Sequence, residues 1–254
     1  MDRSSAHFAA ACVGLSGGAE DKEAYARELI RADKYKITHD ADIALSGATK
    51  GQPGIIVIAG TGSMAFGRNA TGRAARAGGW GYVFGDEGGA FDIVRQALRE
   101  SLRFEEGWGP ATTLRDRLLK TTGARDANEL LHRFYTPEFP RKRIAALAPL
   151  VTEAAEAGDD AAEMVLRLAT AQLALLAQNV HEQLFQQGEA VPVCYAGGVF
   201  SSDLLRLNFI DEIGRAIGCH AAPPSYDPVA GAVIEALRLD GNESRLSSVD
   251  VRLS

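Results

Sequence analysis

The chain has 254 residues, of which 46% are hydrophobic and 24% charged, a balance typical of a packed globular protein and not of a disordered one. Its formal net charge is −6, and lysine and arginine form no stripe, which argues against a nucleic-acid partner. The three cysteines lack CxxC spacing, which predicts neither a zinc site nor a disulfide framework, and no apolar run approaches the ~20 residues of a membrane span. We therefore expect a cytoplasmic protein without a membrane partner.

The first part of the chain alternates predicted strands and helices. Residues 8–15 form an apolar run that predicts a buried strand, closed by a turn at Ser16-Gly17-Gly18. Helix-forming residues follow over 20–32. Residues 37–40 then predict a short strand that ends at the acidic residue Asp40, and a helix is predicted over 41–48. Asp40 therefore lies at a strand-to-helix junction.

A β-branched run and three glycine-rich loops come next. Residues 55–59 are continuously apolar, as in strands buried on both faces. Gly60-Thr61-Gly62-Ser63 interrupts this run, and extended character resumes over 64–68, so the pattern predicts a strand, a glycine turn and a second strand. Two more glycine-dense loops follow, at 78–81 and 85–89.

From Phe91 the apolar period becomes helical, and we interpret residues 91–188 as a mostly helical insertion. The remaining predicted elements are helices over 141–157, 159–187, 204–217 and 228–239 and a strand over 191–196, followed by a Gly197-Gly198 turn. Residues 241–254 are polar and predict a tail.

The glycine turns and the carboxylates are the candidate functional groups. A strand ending in Gly-Thr-Gly-Ser can direct backbone N–H groups and hydroxyls at a phosphate, although such a turn also serves simply to reverse a chain. Gly197-Gly198 carries the same two interpretations. Asp40 is placed either to act as a general base or to cap the helix that follows it. Asp86 is either a ligand-facing carboxylate or a helix-start charge, and Trp80 either a ligand wall or a core residue.

The order and spacing of several blocks resemble the BadF/BadG/BcrA/BcrD ATPase family and its N-acetylglucosamine kinase members. These blocks cover nearly the whole chain: Ile37-Thr38-His39-Asp40-Ala41, Gly60-Thr61-Gly62-Ser63, Gly78-Gly79-Trp80-Gly81, Gly85-Asp86-Glu87-Gly88, Ala196-Gly197-Gly198-Val199 and Asp227-Pro228-Val229-Ala230-Gly231-Ala232.

The resemblance implies an α/β fold of actin-like, ribonuclease H-like duplicated domains that close over ATP, Mg²⁺ and a small-molecule sugar. It implies a remnant of the first domain over 1–54, a second domain over 55–227 containing the helical insertion, and a C-terminal helix returning to the first domain over 228–254. It also implies residue roles: Asp40 as catalytic base; Gly79, Trp80 and Asp86 at the sugar; Gly60, Thr61, Gly62, Ser63, Ala145, Gly197 and Gly198 at the nucleotide; and no protein ligand to a metal. We expect Asp40, Thr61 and Trp80 to share one cleft.

The chain departs from the family pattern in three respects. The glycine-rich first phosphate loop typical of the family does not precede residues 8–15, Met64 stands where the sugar kinases carry an asparagine, and Gly89 replaces a usual serine. A non-catalytic sugar- or nucleotide-binding relative therefore stays open as an alternative. An ATPase activator of a dehydratase is a further alternative, although its iron–sulfur cluster needs paired cysteines that this chain lacks. A homodimer is suggested by analogy alone.

Overall fold

The computed structural model describes residues 6–16 and 20–242. The predicted turn at Gly17-Gly18 and the tail from residue 243 lie outside the described residues. The strands are β1 (His7–Leu15), β2 (Arg31–His39), β3 (Gly54–Ala59), β4 (Ser63–Arg68), β5 (Ala74–Gly78), β6 (Val193–Ala196) and β7 (Ala221–Ala222). The helices are α1 (Glu20–Leu29), α2 (Asp40–Ala48), α3 (Ala90–Glu105), α4 (Leu114–Thr122), α5 (Ala127–Phe134), α6 (Arg141–Ala145), α7 (Ala148–Glu156), α8 (Asp160–Leu184), α9 (Asp203–Ile217) and α10 (Pro228–Leu239).

The first sheet consists of β1 and β2, which run parallel and are connected by α1. The strand predicted over 8–15 is confirmed as β1, but it is less buried than predicted. Although α2 and α10 pack on this two-stranded sheet, Ala11 is the only side chain of β1 that is buried. The helix predicted over 20–32 is too long. Arg31 is already the first residue of β2 and pairs with His7 of β1, so pairing with the neighbouring strand overrides the local helical preference.

The second sheet has the strand order β5-β4-β3-β6-β7, with β3 antiparallel to β4 and parallel to β6. The predicted strand, glycine turn and strand are confirmed as β3 and β4. Alternate residues of β3 face opposite sides: Ile55 and Val57 join the core formed with α8, whereas Ile56 packs against α2. Two buried faces explain why this strand is apolar at every position.

Residues 91–188 are mostly helical, as predicted, and contain α3 to α8. The helix predicted over 141–157 is in fact two helices, α6 and α7, separated at Ala146 and Leu147. The reason is Pro149, which stands in the first turn of α7, where proline favours a new helix start over a continued helix. None of the helices in the described part of the chain combines the length and apolarity needed to cross a membrane.

Candidate active site

The glycine turn between β3 and β4 is held against the start of α3. Gly60 N–H donates to the carbonyl of Gly62 at 2.9 Å, which closes the turn. The carbonyls of Gly60 and Thr61 accept hydrogen bonds from the first two amides of α3, Ala90 and Phe91, at 2.8 and 3.1 Å. The turn therefore has a fixed shape, and the position of α3 determines where Thr61 lies.

Asp86 lies buried beneath this turn. Its carboxylate contacts the guanidinium of Arg141 and accepts a hydrogen bond from Ser63 N–H at 3.4 Å. A Cβ on Gly62 would lie 2.4 Å from the Asp86 Oδ2 atom, so this close approach requires glycine. The interpretation of Asp86 as a helix-start charge is wrong, because it has a left-handed backbone with φ of 63° and the acid in the first turn of α3 is Asp92.

A first cavity of about 480 Å³ opens beside the glycine turn. Four residues predicted to bind nucleotide line it: Gly60, Thr61, Ala145 and Gly198. A Cβ on Gly60 or Gly198 would meet no atom within 4 Å, so both backbones border open space.

The other three predicted nucleotide residues do not line the first cavity. Gly62 packs on Asp86, and the buried Ser63 donates its hydroxyl to the carbonyl of Glu87 at 2.5 Å. Gly197, with φ of 108°, packs so closely on Ala59 that a Cβ would lie 2.3 Å from the Ala59 carbonyl oxygen. Gly62 and Gly197 therefore allow their loops to pack closely on Asp86 and Ala59 and do not face the first cavity.

A second cavity, of about 650 Å³, contains Asp40 and Gly79. Asp40 is exposed and is the first residue of α2, whose N-cap position is His39, so the carboxylate is not the helix cap. Its Oδ1 atom accepts a hydrogen bond from the adjacent Ala41 N–H at 2.9 Å, and the residue lines the cavity. Met64 and Arg76 also line it, from β4 and β5. The cavity therefore combines a carboxylate, a guanidinium and an apolar wall.

Trp80 lies next to the second cavity without lining it. Its side chain is 69% exposed, which rules out the core interpretation, and the Arg76 guanidinium carbon lies 4.7 Å from the ring centroid. Asp86 does not line the second cavity either. Its partner Arg141 also contacts the loop that carries Trp80 and Asp86, with the guanidinium carbon 5.2 Å from the centroid of the Tyr82 ring.

The expected single cleft is divided in this structure into two cavities that border one hairpin. Thr61 lines the first cavity and Met64, three residues later, lines the second. Asp40 and Thr61 thus lie in different concavities, one lined by the turn of the hairpin and the other by β4.

The cysteines form no metal centre. Burial raises the pKa of Cys194 to about 11, and burial, with smaller effects from the charges around it, also raises the pKa of Cys12 to about 11, so both thiols stay protonated at neutral pH. In residues 6–16 and 20–242 no group of three His, Cys, Asp or Glu side chains could hold a metal ion.

The sequence analysis missed Arg141 and Lys142. Arg141 contacts Asp86, and Lys142 brings a positive charge to the first cavity. No local signal identifies them, because α6 has only five residues and Lys142 lies in its last turn as well as near its start. The other missed residues of the first cavity include Thr152, Glu153, Ser201 and Ser202.

Two curated kinases share extensive sequence with this chain. It is 36% identical over 198 residues to the N-acetylmuramic acid/N-acetylglucosamine kinase of Clostridium acetobutylicum, a match that covers 76% of this chain and 65% of that protein. It is 31% identical over 240 residues to the N-acetyl-D-glucosamine kinase of Dictyostelium discoideum, covering 89% of this chain and 74% of that protein. The chain thus spans just under two thirds of the length of the Clostridium kinase.

Solved structures agree in fold. A candidate N-acetylglucosamine kinase from Chromobacterium violaceum superposes with a TM-score of 0.70 at 28% identity, covering 89% of this chain and 74% of that one. A ROK family glucokinase from Streptomyces griseus, solved with glucose and AMPPNP, has a TM-score of 0.54 at 14% identity, covering 87% and 72%, and supports the fold alone. The α/β fold is therefore that of the actin-like sugar kinases. Since the sequence profile of one family matches residues 1–236, nearly the whole described chain, the protein belongs to the BadF/BadG/BcrA/BcrD ATPase family.

Proposed function

We propose that the protein transfers the γ-phosphoryl group of ATP to a hydroxyl of an amino sugar of the N-acetylglucosamine class. The observation that carries the proposal is the pair of cavities on one hairpin, with Asp40 in one and the Thr61 turn in the other. The names of the two curated relatives support the substrate class.

Asp40 is the general base in this proposal. Phosphoryl transfer needs a carboxylate within hydrogen-bond reach of the attacking hydroxyl, and positioning and charge stabilisation supply most of the catalysis. Asp40 is exposed to the second cavity, and Ala41 N–H engages only its Oδ1 atom, which leaves Oδ2 for the proton of the acceptor hydroxyl.

The first cavity would hold the nucleotide. The backbones of Gly60, Thr61 and Gly198 border open space suited to phosphates, and the Lys142 ammonium supplies a charge of the right sign. The small side chain of Ala145 leaves room for adenosine. The turns themselves would be held by packing and hydrogen bonds of Gly62, Ser63 and Gly197, which would not contact the ligand.

Mg²⁺ would accompany ATP, where it neutralises phosphate charge and orients the transferred group. In such sites the ion is held largely by phosphate oxygens and water, so the first cavity needs no cluster of protein carboxylates to accept it.

The second cavity would hold the sugar against Gly79, with the Trp80 indole beside it. Asp86 is buried and lines neither cavity, so its predicted hydrogen bond to a ring hydroxyl would require the carboxylate to become accessible when the sugar binds. Arg141 and Ser63 N–H each engage one oxygen of this carboxylate, and a carboxylate offers about four lone-pair sites, so capacity for a sugar hydroxyl remains.

The experiment measures ADP release with ATP·Mg²⁺ and a panel of amino sugars and hexoses, for the parent and for Asp40→Asn. We expect the substitution to lower kcat by about 10²–10⁴-fold while calorimetry shows unchanged ATP binding. Asp116→Asn is the matched control, because Asp116 is also in the first turn of a helix but lines neither cavity. Full activity in Asp40→Asn contradicts the proposal.

Met64 favours a second candidate, a non-catalytic sugar-binding relative. An apolar thioether lines the cavity of Asp40 where the sugar kinases carry an asparagine, so one polar contact to the acceptor is replaced. If the parent and Asp40→Asn are equally inactive on every sugar while one sugar still binds, this second candidate replaces the first.

A further inference from the structure

Four charged side chains form a closed ring next to the second cavity. The Lys36 Nζ atom lies 2.8 Å from Asp42 Oδ2 and 2.6 Å from Glu235 Oε2. Arg68 completes the ring with Nη1 at 2.9 Å from Asp42 Oδ1 and Nη2 at 2.8 Å from Glu235 Oε1. Each carboxylate thus bridges both cations. We call Lys36, Asp42, Arg68 and Glu235 the charge ring.

The members of the charge ring come from four different elements. Lys36 lies on β2, Asp42 on α2 and Glu235 on α10, all of which pack around the first sheet. Arg68 is the last residue of β4, in the second sheet. The charge ring therefore connects the two sheets through ion pairs. Its member in the second sheet, Arg68, lies on β4, the strand that begins at the glycine turn.

The two carboxylates of the ring are buried and the two cations are partly exposed. The side chains of Asp42 and Glu235 are 9% and 5% exposed, Arg68 is 14% exposed and Lys36 is 30% exposed. The Thr38 and Ser46 hydroxyls donate to Asp42 Oδ2 and Glu235 Oε1, the same oxygens that contact Lys36 and Arg68. Since buried ion pairs often stabilise a fold no better than apolar side chains of similar volume, a fully bonded ring is better explained by the geometry it fixes than by the stability it adds.

Asp40 lies within one helical turn of this ring. Asp42 follows it by two residues, in the first turn of α2. On the other side, Met64, Phe66 and Arg68 occupy alternate positions of β4 and so share one face of the strand. The first two of these line the cavity of Asp40 and the third binds Asp42.

We propose that the charge ring positions Asp40 by fixing the first turn of α2 against β4. Arg68 and Asp42 are then positioning residues and touch no substrate. The role of Asp40 in catalysis rests on the function proposed above, whereas the attachment of α2 to β4 does not. Loss of Arg68 removes the contact between Asp42 and β4. Asp42 then keeps Lys36, and Glu235 keeps Lys36 and Arg238, so the first turn of α2 loses its ionic attachment to β4.

Hydrogen exchange and steady-state kinetics together test this inference in Arg68→Gln, Arg68→Lys and Asp42→Asn. In Arg68→Gln we expect the exchange rate of the α2 amides, divided by that of the α8 amides, to rise about tenfold. We expect kcat to fall about 10–100-fold with the KM values for ATP and sugar within about threefold of the parent. Arg68→Lys keeps the charge but not the two-pronged contact, so it should recover part of both changes.

Leu118→Ala is the matched control. Leu118 is fully buried in a core cluster of residues from α3, α4, α5 and α6 that contains no member of the ring, so its truncation lowers stability without touching the ring. The α2-to-α8 ratio should stay at the parent value there. Equal ratios in Arg68→Gln and Leu118→Ala overturn the inference, as does an equal fall in kcat. If the parent phosphorylates no sugar, the kinase proposal fails and the exchange ratio alone decides for or against the ring.

Discussion

Replacing Gly231 by alanine should destabilise the protein through a main-chain collision. Gly231 lies in α10 where this helix crosses α2, and a Cβ added there would lie 1.8 Å from the carbonyl oxygen of Ile43 and 2.5 Å from the amide nitrogen of Gly47. Cβ contacts below 3.0 Å are essentially never observed, so the helices must separate by about 1.2 Å. Neither colliding atom belongs to a side chain that could rotate away.

The size of the effect follows from two opposing contributions. Alanine in a helix interior gains about 1 kcal/mol over glycine. Overpacking costs about 1–3 kcal/mol and more where the backbone itself must move. Because the backbones of two helices collide here, we expect Gly231→Ala to lower the free energy of unfolding by about 2 kcal/mol net.

Gly214→Ala is the control of opposite sign. Gly214 is an exposed residue of α9, and a Cβ there meets no atom within 4 Å, so the same substitution should raise stability by about 0.5–1 kcal/mol. Urea denaturation of both variants and the parent measures the difference. If Gly231→Ala is as stable as the parent, or if both variants shift in the same direction, the helix crossing is not as close as described.

Three further predictions concern single side chains. Burial alone would raise the pKa of Glu235, but hydrogen bonds within the charge ring and from Ser46 lower it to about 2, so its contribution of about 3 kcal/mol is present above pH 4.5 and lost as the pH falls towards 2. Glu235→Gln should flatten the dependence of unfolding free energy on pH in that window; an unchanged slope contradicts this. Asp159→Ala should cost about 2 kcal/mol in urea denaturation, because Asp159 caps α8 and binds the loop before α4; a loss below about 0.5 kcal/mol refutes that role. Lys142→Ala should weaken ATP binding about tenfold in calorimetry while Lys120→Ala, outside both cavities, leaves it unchanged; equal effects would remove Lys142 from the site.

Local patterns predicted three of the five strands of the second sheet, β3, β4 and β6, and missed β5 and β7. The apolar run over 55–59 and the glycine turn after it became β3 and its turn to β4, because a strand covered by helices on both faces must be apolar at every position. The helix at 228–239 was predicted with its observed bounds, since Asp227 caps it and Pro228 stands in its first turn.

Long-range contacts explain where the sequence analysis failed. The residues near Arg31 carry no local strand pattern. β2 begins there because Arg31 pairs with His7 of β1. The charge ring was also missed: Lys36 and Glu235 are separated by 199 residues, and neither belongs to a recognisable motif. The placement of Thr61 and Asp40 in two cavities depends on residues distant in sequence: the first cavity is also lined by Ala145 and Gly198, and the second by Arg76 and Gly79.

The short helix α6 contains Ala145, which the sequence analysis predicted, and Arg141 and Lys142, which it did not. Successive side chains on a helix point about 100° apart, so neighbours in α6 must reach different surroundings. Arg141 accordingly reaches Asp86, while Lys142 and Ala145, three residues apart and on one face, line the first cavity. The carboxylate proposed for the sugar and the cavity proposed for the nucleotide are therefore attached to the same five-residue helix. A displacement of α6 would therefore shift the partner of Asp86 and the lining of the first cavity together.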